Sequence, residues 1–216
     1  MWCAGRGKLD RDLLLKWIRP PGPVADGLRI GLLGGSFNPA HEGHLYVSET
    51  ALKRLKLDYV WWLVSPQNPL KNVGDMADLK QRLEGARAMA RHHPRLIVTD
   101  LESLLGTRYT IDSLAALRRR FPNVRFVWLM GSDNLAQFSR WRRWRDIAAL
   151  MPLVVVQRPG SILAALQAVA ARRFGTVRNR LKAPAITVLD GARNRQSATW
   201  LRRFGAGASG MLNQQP

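Results

Sequence analysis

Strand-like and helix-like segments alternate along this chain, and that alternation limits its fold more than any other feature of the sequence. Short apolar runs rich in Val, Ile and Leu are separated by stretches whose apolar residues recur at helical spacing, as Val47, Ala51 and Leu55 do. The predicted strands cover residues 28–34, 58–64, 95–99, 124–130, 152–157 and 185–190, and the predicted helices cover 43–56, 79–90, 110–120, 142–150, 161–174 and 197–204. Such alternation indicates βαβ units. We therefore predict an α/β, doubly wound, mostly parallel sheet in a single domain over residues 28–216, with ligands bound at the carboxyl ends of the strands.

The stretch GGSFNPAHEGH follows the first predicted strand and carries two of the four histidines in the chain. Gly34 and Gly35 are expected to let the backbone turn sharply and approach a ligand closely. The helix that begins near Gly43 directs unpaired backbone N–H groups at this loop, which is an arrangement that binds anions. His41 and His44 can each donate a ring N–H to a phosphate oxygen. The stretch therefore predicts a phosphate site, although it contains neither a G-x-G-x-x-G fingerprint nor a P-loop Gly-Lys-Ser/Thr.

Two other interpretations of this histidine pair are weaker. Zinc-binding helices of the metalloprotease type place their histidines at i and i+4, whereas His41 and His44 are three residues apart and have no third ligand of suitable type nearby. A lone histidine commonly caps a helix or fills a core, but two beside a glycine turn at a helix start are better explained by phosphate. We therefore predict no protein metal ligand.

Residues 1–27 are predicted to be an N-terminal extension outside the domain, weakly ordered or forming one short helix. They end in RPPGPVADG, whose prolines and glycines disfavour both helices and strands. The chain has one cysteine, Cys3, so no disulfide can form within it, and no segment approaches the roughly 20 apolar residues of a membrane helix. These features favour a cytoplasmic protein that has no membrane partner.

The chain carries 34 Lys and Arg residues against 15 Asp and Glu residues, which gives a formal net charge of +19. Such a balance attracts nucleic acid, membrane surfaces or phosphorylated small molecules. It is also compatible with a solvated basic surface that has no polyanionic partner. Charge alone therefore names no ligand, and no pattern typical of RNA recognition accompanies it, so we expect no specific nucleic acid. Nothing in the sequence indicates an oligomeric state.

Two motifs together resemble those of the nucleotidyltransferase superfamily. The stretch HEGH is similar to the H-x-G-H motif of adenylyl and cytidylyl transferases, and SATWLR near the C-terminus is similar to their S-x-T-x-x-R triphosphate motif. The chemistry of the second motif makes sense by itself, because the hydroxyl groups of Ser197 and Thr199 and the guanidinium of Arg202 form a suitable polyphosphate cradle at a predicted helix start. The resemblance implies a Rossmann-like nucleotidyltransferase fold.

The middle of the chain resembles one branch of that superfamily, the nicotinate-nucleotide adenylyltransferases. The stretches SPQNPLK, RYTIDSL and WLMGSDNLAQFSRWRRWRDI preserve the order and spacing of that branch, and the resemblance runs from about Arg29 to Arg203. Asn38 stands where the branch commonly has Asp, and the SPQNPLK loop is shorter than many of its counterparts. The resemblance implies transfer of AMP from ATP to nicotinate mononucleotide, with release of pyrophosphate, in NAD biosynthesis.

The resemblance also implies roles for individual residues. His41 and His44 would be catalytic because they would hold the ATP phosphates. The residues that would bind ATP are Gly34, Gly35, Ser36, Phe37, His41, His44, Gly131, Asp133, Arg158, Ser197, Thr199 and Arg202. The residues that would bind nicotinate mononucleotide are Asn68, Lys71, Thr110 and Trp141. Mg²⁺ is expected to arrive with ATP and to be held chiefly by its phosphates, because magnesium keeps several waters.

Four tryptophans and one threonine near these motifs receive separate interpretations. Trp61 and Trp62 lie inside a predicted strand and are expected to be packed in the core. Trp141 and Trp144 are three residues apart, a spacing typical of one helix face, and we predict that Trp144 is core while Trp141 faces the pyridine ring of the acceptor. Thr110 is expected to cap the helix that it opens.

The implied reaction needs no protein nucleophile, since the 5′-phosphate of the mononucleotide can attack the α-phosphorus of ATP directly. Catalysis would then depend on alignment and on stabilised phosphoryl charge, without a covalent enzyme intermediate. Two alternatives stay open on the sequence. One is a sister enzyme such as pantetheine-phosphate adenylyltransferase, and the other is a basic RNA-binding protein without catalytic activity.

Overall fold

Seven parallel strands form one sheet in the part of the chain that the computed structural model describes, namely residues 19–66, 76–157, 167–177, 181, 183–184 and 186–189. The strands are β1 (Arg29–Gly35), β2 (Tyr59–Val64), β3 (Leu96–Thr99), β4 (Arg125–Gly131), β5 (Leu153–Val156), β6 (Thr176–Val177) and β7 (Ile186–Leu189). Their order across the sheet is β3-β2-β1-β4-β5-β7-β6, and each neighbouring pair is parallel. Apolar runs such as LVVV in β5 are buried throughout, because helices cover both faces of a parallel sheet.

Helices cover the sheet on both faces. Those of the described residues are α1 (Glu42–Leu55), α2 (Leu79–Ala90), α3 (Leu101–Leu104), α4 (Thr110–Arg120), α5 (Ser132–Phe138), α6 (Trp144–Leu150) and α7 (Val169–Phe174). One apolar cluster joins α1 and α2 to Leu33 and Trp62, and the other joins the remaining helices to Trp61 and Trp128. The predicted α/β, doubly wound architecture is confirmed. None of these helices is long and apolar enough to cross a membrane.

The strand order reverses beside β1. The chain proceeds from β1 to β2 and β3 on one side of it, and then returns to place β4 on its other side. Leu33 of β1 is in register with Trp62 of β2 and with Leu129 of β4. The loops that follow β1 and β4 therefore leave adjacent strands at a topological switch point, where sheets of this kind bind their ligands.

Some elements differ from those predicted. The short elements α3, α5 and β6 were not predicted, because they are too short to show a full apolar repeat. A single helix was predicted over 161–174, but among the described residues the helix is interrupted at Ala168, whose backbone has φ −58° and ψ 143°, and α7 begins at Val169. The helix predicted over 197–204 lies outside the described residues.

Residues 19–27 are the described part of the predicted N-terminal extension, and several of them contact the domain. The Gly27 N–H donates to the Asn123 carbonyl at 2.9 Å, and Asn123 Nδ2 donates to Asp26 Oδ2 at 2.9 Å. Val24 packs against the apolar cluster that contains Trp128. The domain boundary at residue 27 stays a prediction.

Candidate active site

Two histidines cap the start of α1 reciprocally. His41 is the N-cap residue, with an extended backbone, and its Nδ1 accepts a hydrogen bond from the Gly43 N–H at 3.1 Å. His44 Nδ1 accepts a hydrogen bond from the backbone N–H of His41 at 3.2 Å. This is the arrangement of a capping box, with imidazoles in place of the usual hydroxyl and carboxylate groups. It satisfies backbone donors that a helix start would otherwise leave unpaired.

This reciprocal capping determines which ring nitrogen carries the proton. A backbone N–H donates only to an unprotonated Nδ1, so the neutral imidazoles of His41 and His44 carry their protons on Nε2. The two ring centroids are 3.9 Å apart. His44 Nε2 lies beside the end of β1, 3.9 Å from the position that a Cβ on Gly35 would occupy. The pair therefore provides two ring N–H donors at a helix N-terminus, which is the chemistry of a phosphate site.

Buried side chains hold the ring of His44 in place. Phe37 stacks on it with ring centroids 4.5 Å apart, and Trp62 stacks on Phe37 at 5.1 Å. Trp62 Nε1 donates to Ser48 Oγ at 2.8 Å, and Ser48 Oγ donates to the His44 carbonyl at 2.8 Å. Phe37 has a left-handed backbone with φ 48°, which costs a non-glycine residue about 1–3 kcal/mol. Burial of its ring offsets that cost, so the loop is preorganised around His44.

The two glycines at the end of β1 do not form the sharp turn that was predicted for them. Gly34 and Gly35 continue the ladder with β2, and the left-handed residue of the loop is Phe37. A Cβ on Gly34 would lie 2.4 Å from Cη2 of Trp128, so the packing of Trp128 requires glycine there. A Cβ on Gly35 would make ordinary contacts, 3.5 Å from Phe37 and 3.9 Å from His44. The turn prediction is wrong because both residues pair as strand.

The second loop at the switch point follows β4. Gly131 ends β4 and is the N-cap of α5, and Asp133 lies in the first turn of α5 with an exposed side chain. Because β4 lies next to β1, this turn is at the same edge of the sheet as His41 and His44. A carboxylate there is suited to accept hydrogen bonds from the hydroxyl groups of a ribose.

The predicted acceptor residues Thr110 and Trp141 belong to two segments that contact each other. The guanidinium of Arg142 lies 4.6 Å from the ring centre of Tyr109, the residue before Thr110. Trp141 packs edge-on against Trp128, with ring centroids 5.9 Å apart. The prediction that Thr110 caps α4 is wrong, because the helix begins at Thr110 itself and the N-cap position falls to Tyr109, whose side chain makes no cap hydrogen bond.

The surroundings of Tyr109 are basic. Arg108 and Arg142 lie 5.7 Å and 4.6 Å from the centre of its ring. Asp112, in the first turn of α4, has an exposed side chain. Guanidinium groups next to a helix start favour a negatively charged ligand over a neutral one.

The tryptophans are buried to different extents, as predicted. Trp61 and Trp62 have no exposed surface, and Trp144 is 9% exposed within the core. Trp141 is only half-buried. Its contact with an acceptor stays a prediction.

Six of the predicted site residues lie outside the described residues, and their roles stay predictions: Asn68, Lys71, Arg158, Ser197, Thr199 and Arg202. Within the described part of the chain, no group of three or more His, Cys, Asp or Glu side chains is placed to hold a metal ion.

Two buried ionisable residues were not predicted. Arg82 is 3% exposed and lies on the apolar face of α2, three residues after Leu79 and four before Ala86. Glu102 is 8% exposed, and its burial raises its pKa to about 7, although the hydrogen bond from Ser113 acts to lower it. The helical position of Arg82 is a signal that the sequence contains. Glu102 lies in a four-residue helix that shows no such periodicity.

The chain is similar to known proteins in sequence and in fold. The family model described as cytidylyltransferase-like matches residues 32–204. A probable nicotinate-nucleotide adenylyltransferase of Parvibaculum lavamentivorans is 54% identical, over 84% of this chain and 94% of that protein. A protein of the same name from Methylorubrum extorquens (strain PA1) is 51% identical, over 81% of this chain and 99% of that protein. The structure of Plasmodium falciparum nicotinic acid mononucleotide adenylyltransferase complexed with NaAD has a TM-score of 0.61 at 17% identity, over 82% of this chain and 83% of that one. The fold is therefore that of the nucleotidyltransferases.

Proposed function

The chain belongs to the nicotinate-nucleotide adenylyltransferase family, and we propose that it transfers AMP from ATP to nicotinate mononucleotide in NAD biosynthesis. The products are nicotinate adenine dinucleotide and pyrophosphate. These two relatives each match more than four-fifths of the chain and share one activity name, which favours this reaction over pantetheine-phosphate adenylyl transfer and over RNA binding. The cytoplasmic location inferred from the cysteine content stays a prediction.

The observation that carries this proposal is the reciprocal capping of α1 by His41 and His44. Both Nδ1 atoms accept from the backbone at the helix start, so both rings carry the N–H on Nε2, and Nε2 of His44 lies at the carboxyl end of β1. Donors fixed in this way need no reorganisation as negative charge develops on a phosphoryl group. We assign the triphosphate of ATP to this position, with Gly34, Gly35, Ser36 and Phe37 as the backbone that surrounds it.

The remaining parts of the two substrates are assigned to residues of α4, of α5 and of the segment after α5. We assign the ribose and base of ATP to Gly131 and Asp133 at the start of α5, and the nicotinate ring to Thr110 and Trp141. Further contacts are proposed for residues outside the described part of the chain: Arg158, Ser197, Thr199 and Arg202 toward ATP, and Asn68 and Lys71 toward the mononucleotide.

The proposed step is a single in-line displacement at phosphorus. An oxygen of the mononucleotide 5′-phosphate forms a bond to the α-phosphorus of ATP, and the bond from that phosphorus to the bridging oxygen breaks to release pyrophosphate. The phosphate is already ionised, so no side chain has to act as a nucleophile. The protein contributes alignment and stabilisation of charge on the phosphoryl oxygens. Mg²⁺ is proposed to enter on the ATP phosphates, which supply the oxygen ligands that this ion prefers.

The proposal is tested by the identity and the configuration of the product. Purified protein is supplied with nicotinate mononucleotide and ATP that carries sulfur at the α-phosphorus in one configuration. We expect the thio-dinucleotide and pyrophosphate in equal amounts, with inversion at phosphorus. Retention would contradict direct attack, since a covalent adenylyl–enzyme intermediate gives two inversions. Absence of any dinucleotide, with unmodified ATP as well, would contradict the proposed function.

A further inference from the structure

Arg82 is a buried arginine whose hydrogen bonds, among the described residues, go to backbone carbonyls and not to a carboxylate. Its Nη1 donates to the carbonyls of Ser36 and Ser65, both at 2.7 Å. Its Nη2 donates to the Pro66 carbonyl at 2.9 Å, and its Nε donates to the Ala77 carbonyl at 2.9 Å. All four hydrogen bonds that Arg82 donates have normal lengths. The side chain is 3% exposed, so these bonds are shielded from water.

The four carbonyls belong to three different segments. Ser36 follows β1, in the loop that we assign to the ATP phosphates. Ser65 and Pro66 follow β2, and Ala77 precedes α2. Arg82 therefore joins the phosphate loop to both ends of the chain segment that runs from β2 to α2.

A side chain of the phosphate loop also contacts Ala77. Asn38 Oδ1 accepts a hydrogen bond from the Ala77 N–H at 3.2 Å. The N–H and the carbonyl of Ala77 are thus both held by side chains, one from the phosphate loop and one from α2. The other end of the segment has an additional backbone bond, from the Ser65 N–H to the Gly35 carbonyl at 2.9 Å.

A guanidinium is suited to this task and an ammonium is not. Its five N–H groups lie in one plane at fixed angles, whereas a lysine has three donors on a compact head and a flexible stem. Burial lowers the pKa of Arg82 from its ordinary value, and the nearby carboxylate of Asp78 acts in the opposite direction. Arginine stays charged in proteins, so these hydrogen bonds are charge-assisted.

We propose that Arg82 is a positioning residue that aligns the acceptor side of the site with the ATP phosphates, by holding Ala77 and Ser65 to the loop of Ser36. This inference rests on the proposed function, which assigns Asn68 and Lys71, between Pro66 and Ala77 in the sequence, to the nicotinate mononucleotide. The histidine caps and the Phe37 packing of the phosphate loop do not involve Arg82. Loss of Arg82 therefore affects the acceptor more than ATP.

The test is the kinetics of Arg82→Lys, with Arg87→Lys on the exposed side of α2 as the matched control. For Arg82→Lys we expect a rise of about tenfold or more in KM for nicotinate mononucleotide, a smaller kcat, and a change of less than about threefold in KM for ATP. Arg87→Lys should match the wild type. A lower Tm with both KM values unchanged, or with both raised equally, would overturn the proposal, because a purely structural role predicts those results.

Asn38 supplies a second test that leaves the buried charge in place. Asn38→Ala removes the acceptor for the Ala77 N–H and should also raise KM for the mononucleotide selectively. Asn38→Asp keeps an acceptor oxygen, so its KM for the mononucleotide should be close to that of the wild type. If Arg82→Lys does not fold, this pair decides, and equal kinetics of Asn38→Ala and the wild type would overturn the proposal. Failure of the proposed function is a separate result, since the wild type itself would then form no dinucleotide.

Discussion

His44 is the single residue from which we expect the largest effect on turnover. Its Nε2 lies beside the end of β1, and its ring is fixed by the cap bond and by Phe37. Removing one preorganised donor to developing charge costs about 10²–10³ in kcat. We predict that loss for His44→Ala, measured by steady-state pyrophosphate release. His92→Ala, in the exposed turn at the opposite edge of the sheet, is the control and should retain turnover. A kcat for His44→Ala within a few-fold of the wild type would assign His44 a structural role only.

Trp141 is expected to affect the binding of one substrate, nicotinate mononucleotide. It is half-buried and packs on Trp128 and Phe138, which leaves part of the indole exposed on the side that we assign to the acceptor. Trp141→Ala should raise KM for nicotinate mononucleotide by about tenfold, because a stacking partner contributes about 1–3 kcal/mol per ring, and should change KM for ATP little. Trp141→Phe keeps an aromatic face and should recover most of the affinity. An equal rise in both KM values would show that Trp141 only supports the fold.

Helices α3 and α4 are joined through a buried carboxyl group. Ser113 Oγ of α4 donates to Glu102 Oε1 of α3 at 3.0 Å, and Thr107 Oγ1 lies 2.8 Å from Ser113 Oγ. Burial raises the pKa of Glu102 from 4.5 to about 7. The folded state therefore binds more protons than the unfolded state between these values, so the free energy of unfolding falls as the pH rises through this window.

Substitution of Glu102 by glutamine should remove that dependence. Glu102→Gln keeps an acceptor for Ser113 but does not titrate, so its Tm should match the wild type near pH 5 and exceed it at pH 8. A pKa difference of this size corresponds to about 3 kcal/mol at most. Thermal unfolding from pH 5 to pH 8.5 measures it, with Glu84→Gln on the exposed side of α2 as the control. A Tm difference that is constant with pH would show that Glu102 titrates normally in the folded protein.

The elements were predictable where the signal is local. Strands β1, β2, β4 and β5 are continuous apolar runs, and α1 shows its buried stripe directly in the sequence. Short elements such as α5 carry too few residues for a period to appear. The turn after β1 was misplaced for a different reason, since glycine at position 34 serves the packing of Trp128, a partner from another strand.

At the scale of the whole molecule, the edge of the sheet that holds the site was predictable, but the hydrogen bonds that hold its loops in place were not. Parallel strands bring the loops after β1 and β4 together wherever the chain reverses, so His41 and Asp133 were expected to share an edge. The contacts of Arg82 join residues up to 46 positions apart, and no periodic pattern shows which carbonyls a side chain will meet. Such partners follow only from the packed fold.

The N-terminal region allows a prediction about the whole chain. Residues 1–18 contain none of the proposed site residues, so a protein that lacks them should keep the kcat of the full chain. Deletion of residues 1–27 also removes the Gly27–Asn123 hydrogen bond and the packing of Val24, and should lower Tm by about 2–8 °C. Thermal unfolding and steady-state kinetics of the two truncations compare these effects. A large loss of kcat in a folded protein without residues 1–18 would contradict the predicted domain organisation.

The choice of acceptor is the property that most directly identifies the reaction. The start of α4 and the guanidinium groups of Arg108 and Arg142 around Tyr109 favour the carboxylate of nicotinate over the neutral amide of nicotinamide. A site built for a charged group rejects an analogue that leaves its donors unpaired. The deciding measurement is kcat/KM with ATP and each of nicotinate mononucleotide, nicotinamide mononucleotide and 4′-phosphopantetheine. We predict that the value for nicotinate mononucleotide exceeds that for nicotinamide mononucleotide by at least about two orders of magnitude, with no measurable transfer to phosphopantetheine. Equal use of the two mononucleotides would contradict the acid-specific assignment, and preferential transfer to phosphopantetheine would contradict the proposed function.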